Sequence, residues 1–265
     1  MLKQIIKTKK QANNIAGTLG KPSKMPGMSY GLPANNGSFV EKICKAKGWK
    51  IPEQYGCQIG KLLAKLKGTV CSSCYADEKA NYGYPSVQIA QTKRLVGLTD
   101  TLWVEAMVFL IDRQFDKTFN EALVNWIDYS FCNDLKWNIE QCETMAMHDV
   151  AFFRWHDSGD IINHEHLEKI CLVASFTPYL AHWIPTRETK LVNTFTGIVP
   201  SNLLIRHSAH KVDMSISSKV AHCSSVSFNK PSIGVDCSAP TYFNECGTCR
   251  KCWSYDVSEV TYPIH

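Results

Sequence analysis

Residues 150–160 read VAFFRWHDSGD. The run Val150–Trp155 is apolar, aromatic and β-branched, the composition of a buried strand. It stops abruptly in His156-Asp157-Ser158-Gly159-Asp160, a polar turn. The same pattern returns twice. His182-Trp183-Ile184-Pro185 is followed by Thr186 and Arg187, and Leu203-Leu204-Ile205 runs into Arg206 and His207. Between these runs lie helical patterns: residues 164–176, with Leu167, Ile170, Cys171 and Ala174 on one face, and Glu188–Phe195. Strands alternating with helices at about 20–30 residues predict βαβ units and a parallel sheet. The fold class expected is α/β, a TIM-barrel-like parallel barrel, complete or partial. Such sheets bind ligands at the carboxyl ends of their strands. His156, Asp157, Ser158, Gly159, Asp160, Arg187 and Arg206 are therefore expected on one rim.

Working outward, residues 1–40 predict an irregular N-terminal arm, because GTLGKPSKMPGMSYGLPANNGS is dense in Gly, Pro, Ser and Asn. Residues 41–265 are expected to form one barrel-like domain that includes the cysteine-rich segment 237–252. VEKICKAKGW and CQIGKLLAKL each suit a strand or a short helix. From 86 to 131, Leu95, Leu98, Leu102, Trp103, Ala106, Met107, Leu110 and Ile111 follow helical spacing, with a second helix expected at 119–131. Asp100 and Asn120 are the expected N-caps. Val212–Ile216 and Cys223–Phe228 are shorter strand candidates.

The chain has 265 residues, 45% hydrophobic, enough for one large core. The net charge of +5 is concentrated toward the front, in KQIIKTKK, KPSK and KICKAKGWK. A basic arm of this kind either meets a nucleic-acid phosphate backbone or is a solvated segment. No stretch reaches the roughly 18 apolar residues of a membrane span, and no secretory leader is visible, so a cytoplasmic location is expected. In a reducing compartment twelve cysteines favour metal binding over disulfides.

Their spacing supports this. Cys237, Cys246, Cys249 and Cys252 form C-x8-C-x2-C-x2-C. Upstream, GTVCSSCYA carries Cys71 and Cys74 as C-x2-C, and thirteen residues separate Cys57 from Cys71. Two thiolates two residues apart face one centre from a single turn, a spacing used by zinc and by iron–sulfur clusters alike. Both metals stay open on spacing alone. Cys171 is expected in the core. The HDSGD turn reads either as a ligand-holding loop, with Gly159 admitting close approach, or as a cap for the helix that follows. His164 and His166 read as solvated first-turn residues, and Arg187 and Arg206 as clamps for a carboxylate or phosphate.

These stretches, GKPSKMPGMSYGLPA, GTVCSSCYADEKANYGYP, FRWHDSGDI, WIPTRE and the cysteine run ending in CW, occur in an order that resembles the phage gene-product-eighty-eight-like family. More distantly, Cys71, Cys74 and Tyr75 resemble the cluster loop of the radical SAM superfamily, especially its photoproduct-lyase-like phage branch. There the loop is C-x3-C-x2-C followed by Tyr. Here Lys67 stands at the first of those positions, and Cys57 would serve only across an enlarged loop. The resemblance implies an iron–sulfur protein of an infected host's cytoplasm with one or two 4Fe–4S clusters. In one version Cys57, Cys71 and Cys74 hold a cluster open to S-adenosylmethionine (SAM), Tyr75, His156, Ser158 and Gly159 line the cofactor site, and Asp157, Asp160, Arg187 and Arg206 act on an unidentified substrate. In the other, SAM binding is lost, and Cys71, Cys74 and C-terminal cysteines share one fully ligated cluster. The alternative from a different class is a nucleic-acid- or protein-binding accessory protein with structural zinc or iron–sulfur.

Overall fold

The structure, a computed structural model, describes residues 5–22, 24–35, 37–76, 80–228 and 234–264. Lys3 of the basic arm and Asp77–Lys79 of the front cysteine loop lie outside the described residues. Seven strands form one sheet: β1 (Met28–Tyr30), β2 (Phe152–Trp155), β3 (Ala181–Thr186), β4 (Leu203–Ser208), β5 (Cys223–Ser227), β6 (Val235–Asp236) and β7 (Glu259–Pro263). Their order is β1-β2-β3-β4-β5-β7-β6, and every pair is parallel. The α/β expectation holds. The sheet is not a closed barrel: among the described residues the only strand beside β1 is β2, its outer edge meeting Gly20 in an isolated antiparallel bridge, and the only strand beside β6 is β7. Its edge strands are three and two residues long, too short to continue a ladder around to each other.

Among the described residues, eight α-helices accompany the sheet. They are α1 (Lys9–Ala16), α2 (Val40–Lys47), α3 (Gln58–Leu63), α4 (Pro85–Gly97), α5 (Trp103–Cys132), α6 (Ile139–Val150), α7 (His164–Phe176) and α8 (Thr189–Asn193). Alternate strand residues face opposite ways. Phe153, Trp155, Ile184 and Leu203 join the helix-side core with Met107, Ile111, Leu167 and Ile170. Arg154, Trp183, Pro185 and Ser208 face the concave side.

Several expectations are corrected here. The arm is not irregular: Met28–Tyr30 is the first strand of the sheet, and α1 buries Ala12 and Ala16. Tyr30 fixes it, since its hydroxyl donates to the Ala16 carbonyl (2.5 Å) and accepts from Trp103 Nε1 (3.1 Å). Buried Arg94 adds bonds to the carbonyls of Thr18 (2.7 Å) and Gly31 (3.1 Å). Long-range polar ties thus override local breakers. The helix break expected near Asn120 is absent, because α5 runs unbroken through Trp103–Cys132; its first half packs in the core and its second half against α6. Asp100 acts from just outside that helix, accepting from Leu102 N at 2.9 Å. Helix α6 starts with a capping box of Asn138 and Gln141. Val212–Ile216 is not a strand. That segment docks the front cysteine loop, with Val70 N donating to His210 O (3.0 Å) and Val212 N to Gly68 O (3.2 Å). His166 is 3% exposed, against Trp103 and His156, while His164 remains exposed. His166 Nδ1 accepts from Ile162 N at 3.3 Å, which holds the ring inward. Cys171 is buried as expected.

Candidate metal centres and ligand cavity

A cavity of about 540 Å³ opens at the carboxyl ends of β2 to β5. Cys57, Cys71 and Cys74 line it from the long β1-to-β2 connection. Local structure delivers each thiol. Cys57 is the residue before α3, and its N–H donates to Asn35 O at 2.8 Å. Glu188, just past β3, accepts from Ile59 N at 2.8 Å and so anchors the start of α3 to the strand ends. Cys71 and Cys74 belong to a tight turn over Val70–Cys74, capped by Thr69, whose hydroxyl also donates to Leu63 O at 2.6 Å. An atom placed where a Gly60 side chain would begin lies 3.6 Å from Cys57 Sγ and 3.8 Å from Cys71 Sγ. The two sulfurs therefore flank one small space, kept open by the absence of a side chain. Burial pushes the Cys57 thiol well above its ordinary range, and the Asp160 carboxylate adds to this. Burial raises Cys71 too, opposed by the Arg187 guanidinium.

The HDSGD turn lines the cavity, and it does not cap the following helix, whose N-cap is Asn163. His156, Asp157, Ser158, Gly159 and Asp160 all line the cavity, as do Tyr75 and Arg187. Some of them are also structural ties. Ser158 Oγ donates to Leu32 O (2.8 Å) and accepts from Gln91 Nε2 (2.6 Å). Asp160 accepts from Ile161 N (2.8 Å), Thr186 Oγ1 (2.6 Å) and Arg187 N (2.9 Å), locking the end of β2 to the end of β3. Burial still raises its carboxyl above the ordinary range, against those bonds. Gly159 has φ +80°, and a Cβ there would meet Leu32 O at 2.9 Å, so glycine is required. Tyr75 and Tyr82 hydroxyls each donate to Asp157 O at 3.2 Å, joining the cysteine loop to the rim. His156 is 3% exposed, holds φ +54°, and has no partner for either ring nitrogen. Burial, His166 and Arg154 hold it neutral by lowering its pKa.

Arg206 is not on this rim. Its side chain is buried and donates to five carbonyls, those of Cys223 and Ser258 (3.4 Å each), Lys251 and Cys252 (3.0 Å each) and Ser254 (2.7 Å). A guanidinium so engaged organises the C-terminal segment. It has no donors left for a substrate anion.

That segment forms the second thiol group, on the concave face away from the rim. Cys237, Cys246, Cys249 and Cys252 surround a space of about 20 Å³, closed by Trp253 and Val260. The loop is tied down by Cys237 N to Thr261 O (2.8 Å) and Cys246 N to Lys24 O (2.9 Å). Trp253 wedges between Phe152 and Trp183, each ring centroid 5.2 Å away, and donates to Phe153 O at 3.1 Å. Burial pushes the Cys252 thiol up to about 12, moderated by its 3.0 Å contact with the Tyr262 hydroxyl. Among the described residues, no three His, Cys, Asp or Glu side chains already stand in ion-coordinating geometry. Both thiol groups converge on a space without closing on it. Their donor sets nonetheless suit a thiophilic metal: in front, Cys57 and Cys71 sulfurs flank the Gly60 gap and Cys74 lines the same cavity, and behind, four cysteines surround a space of ion size.

The sequence matches the Gene product 88 family over residues 1–226. The chain belongs to that phage protein family. The matched region of this family member contains Cys57, Cys71, Cys74 and the whole HDSGD rim, and it ends before Cys237. No curated protein and no solved structure matches the chain. Among the described residues no helix is long and apolar enough to cross a membrane.

Sequence reasoning missed Arg154, Trp183, Glu188 and Tyr262. Arg154, Trp183 and Tyr262 line the cavity from the concave face. Arg154 carried a usable signal: a cation in the middle of an apolar strand needs a reason to be there.

Proposed function

We propose that this chain is an iron–sulfur enzyme of the SAM-dependent kind. In this reading Cys57, Cys71 and Cys74 hold a 4Fe–4S cluster, and the front cavity takes SAM and a substrate. The observation that carries it is the convergence of three thiols from two separate segments on one cavity of about 540 Å³ at the carboxyl ends of parallel strands. Clusters are commonly held by four cysteines, so three leave one iron for an outside ligand. When bound, such a cluster supplies the electron that cleaves a sulfonium ligand.

The chain's own residues then have defined tasks. Cys57, Cys71 and Cys74 bind as thiolates, and because burial raises Cys57 and Cys71, loading releases protons to solvent. Tyr75 and Tyr82 hold the cysteine loop against the rim. Asp157 Oδ1 is buried without a partner and accepts an ammonium or hydroxyl of the ligand. Arg187, whose Nε is likewise unpartnered, offers a donor to a carboxylate at the rim. Asp160 and Glu188 position these groups without touching the ligand.

The C-terminal cysteines support a different centre. A space of about 20 Å³ exceeds the roughly 10–15 Å³ needed for one water, and favours a single tetrahedral zinc ion over a polynuclear cluster. The test is anaerobic purification with a visible spectrum, iron, sulfide and zinc assayed per chain, and electron paramagnetic resonance after reduction with and without SAM. About four irons, one zinc and a reduced signal that shifts on adding SAM are expected. A colourless protein holding only zinc would overturn the cluster, and a brown protein indifferent to SAM would overturn the SAM site.

A further inference from the structure

The concave face of the sheet carries two donors that the protein leaves unused. Arg154 on β2 and Trp183 on β3 are register partners. The guanidinium stacks over the indole, 4.9 Å from its centroid. Both side chains line the front cavity. Arg154 Nε and Trp183 Nε1 are buried with no hydrogen-bond partner, and Trp183 is only 4% exposed. Arg154 Nη1 does reach Met25 Sδ at 3.0 Å, but a thioether is a weak acceptor. Among the described residues, no carboxylate comes within ion-pair distance of Arg154. Its electrostatic neighbours on the cavity side are Asp157 and the phenols of Tyr75, Tyr82 and Tyr262.

Buried donors are nearly always satisfied in folded proteins, so two adjacent exceptions facing one cavity mark a place for an acceptor. The acceptor complementary to a guanidinium is an oxyanion, held by a planar fork that stacking on Trp183 keeps oriented. Arg154 lies three residues before Asp157 on the same chain, below the rim and toward the cavity floor. We propose that Arg154 and Trp183 form an anion subsite on that floor, which takes a carboxylate or phosphate group of the substrate. This rests on the cavity being a ligand site, and it does not require the cluster.

The test is calorimetric titration of the anaerobically purified full-length chain with inorganic phosphate and, separately, with acetate. One saturable site is expected, with phosphate tighter if the substrate is a phosphate ester and acetate tighter if it is a carboxylic acid. Arg154→Gln should weaken binding by about tenfold or more, and Trp183→Phe by about two- to tenfold, the ranges for charged and neutral hydrogen bonds. Because Arg154 also lies within electrostatic reach of Cys246 and Cys252, its variant can disturb the rear centre. Trp183→Phe keeps an aromatic ring against Trp253 and beneath Arg154 while removing the indole N–H, so it decides in that case, with metal content assayed alongside. Absence of binding by the wild type, wild-type affinity in both variants, or loss only in Arg187→Gln would overturn the subsite. Phosphate or acetate binding to a protein that carries no iron would retain the subsite and sink the cluster reading.

Discussion

The two thiol groups of this chain differ in almost every physical respect. The rear four lie within sixteen residues of one loop and enclose about 20 Å³. The front three come from two segments held together by Glu188, Thr69 and Asn35, and face about 540 Å³. A rear metal would tie a loop to itself and seat Trp253 in the concave face. A front metal would look onto empty volume rimmed by Asp157, Asp160 and Arg187. The comparison teaches that shared C-x2-C spacing does not fix the surroundings of the sulfurs: one group faces a large open cavity and the other a closed space of ion size.

The largest expected effect separates the two directly. Cys246→Ser combined with Cys252→Ser should remove the rear ion and lower the thermal unfolding midpoint steeply, since structural zinc contributes on the order of 10 kcal/mol in small domains. Cys71→Ser with Cys74→Ser should abolish iron binding and leave the midpoint of zinc-loaded protein nearly unchanged. Equal destabilisation by both pairs, read by calorimetry with metal analysis, would break the comparison.

Trp253→Ala comes next. It empties the wedge between Phe152 and Trp183 and leaves the Phe153 carbonyl without its donor. A cost of about 3–5 kcal/mol is expected in denaturant unfolding. Front-site iron per chain should survive in the folded fraction, and its loss would mean that the two regions are not separable.

Acid would strip a thiolate-bound metal from either proposed site, so the fold's own pH dependence is read on the apo-protein. His182 and His166 are buried neutral, each with its pKa lowered by burial to about 3. His182 is held between Trp155 Nε1 (3.2 Å) and Thr177 Oγ1 (2.8 Å). Between an unfolded value of about 6.5 and the folded value, the unfolded chain binds more protons, so stability rises with pH. It is complete above about pH 6.5 and is lost progressively as pH falls toward 3. Each histidine should contribute roughly 2 kcal/mol of loss between pH 6.5 and 5. Apo-protein of His182→Gln should show a shallower slope in chemical unfolding measured across that range, and an unchanged slope would sink this assignment.

The smallest effect concerns the rim. Asp160→Asn keeps the shape but turns one acceptor into a donor facing Arg187 N or Thr186 Oγ1, at a cost of about 1–3 kcal/mol. Because the Asp160 carboxylate raises the Cys57 thiol, its removal should favour the thiolate and tighten iron binding at Cys57 while leaving rear-site metal unchanged, measured by metal competition. Loss of both metals would contradict a role confined to the front.

Much of the sheet was legible because β2, β3 and β4 announce themselves as short apolar runs ending in polar groups, and α7 shows its 3.6-residue period. β1 was hidden, since Met28–Tyr30 is three residues long amid glycines and prolines. Its reason to be a strand lies in Trp155, Trp103 and Arg94, far along the chain. β7 was hidden too, because it follows the cysteine loop and pairs with β5 across more than thirty residues of sequence. Arg206 shows the same limit. Its place after an apolar strand resembled a rim cation, and only the path of the C-terminal loop across the concave face revealed five carbonyl partners.

By itself, then, the order of residues determined the α/β alternation, the polar HDSGD rim and the grouping of thiols within loops, because each depends on neighbours a few positions apart. Only the tertiary structure decided that Cys57 joins Cys71, that Arg154 and not Arg206 faces the cavity, and that the sheet stays open. Those outcomes depend on which segments meet after the chain has collapsed, and on which buried polar atoms find partners when they do.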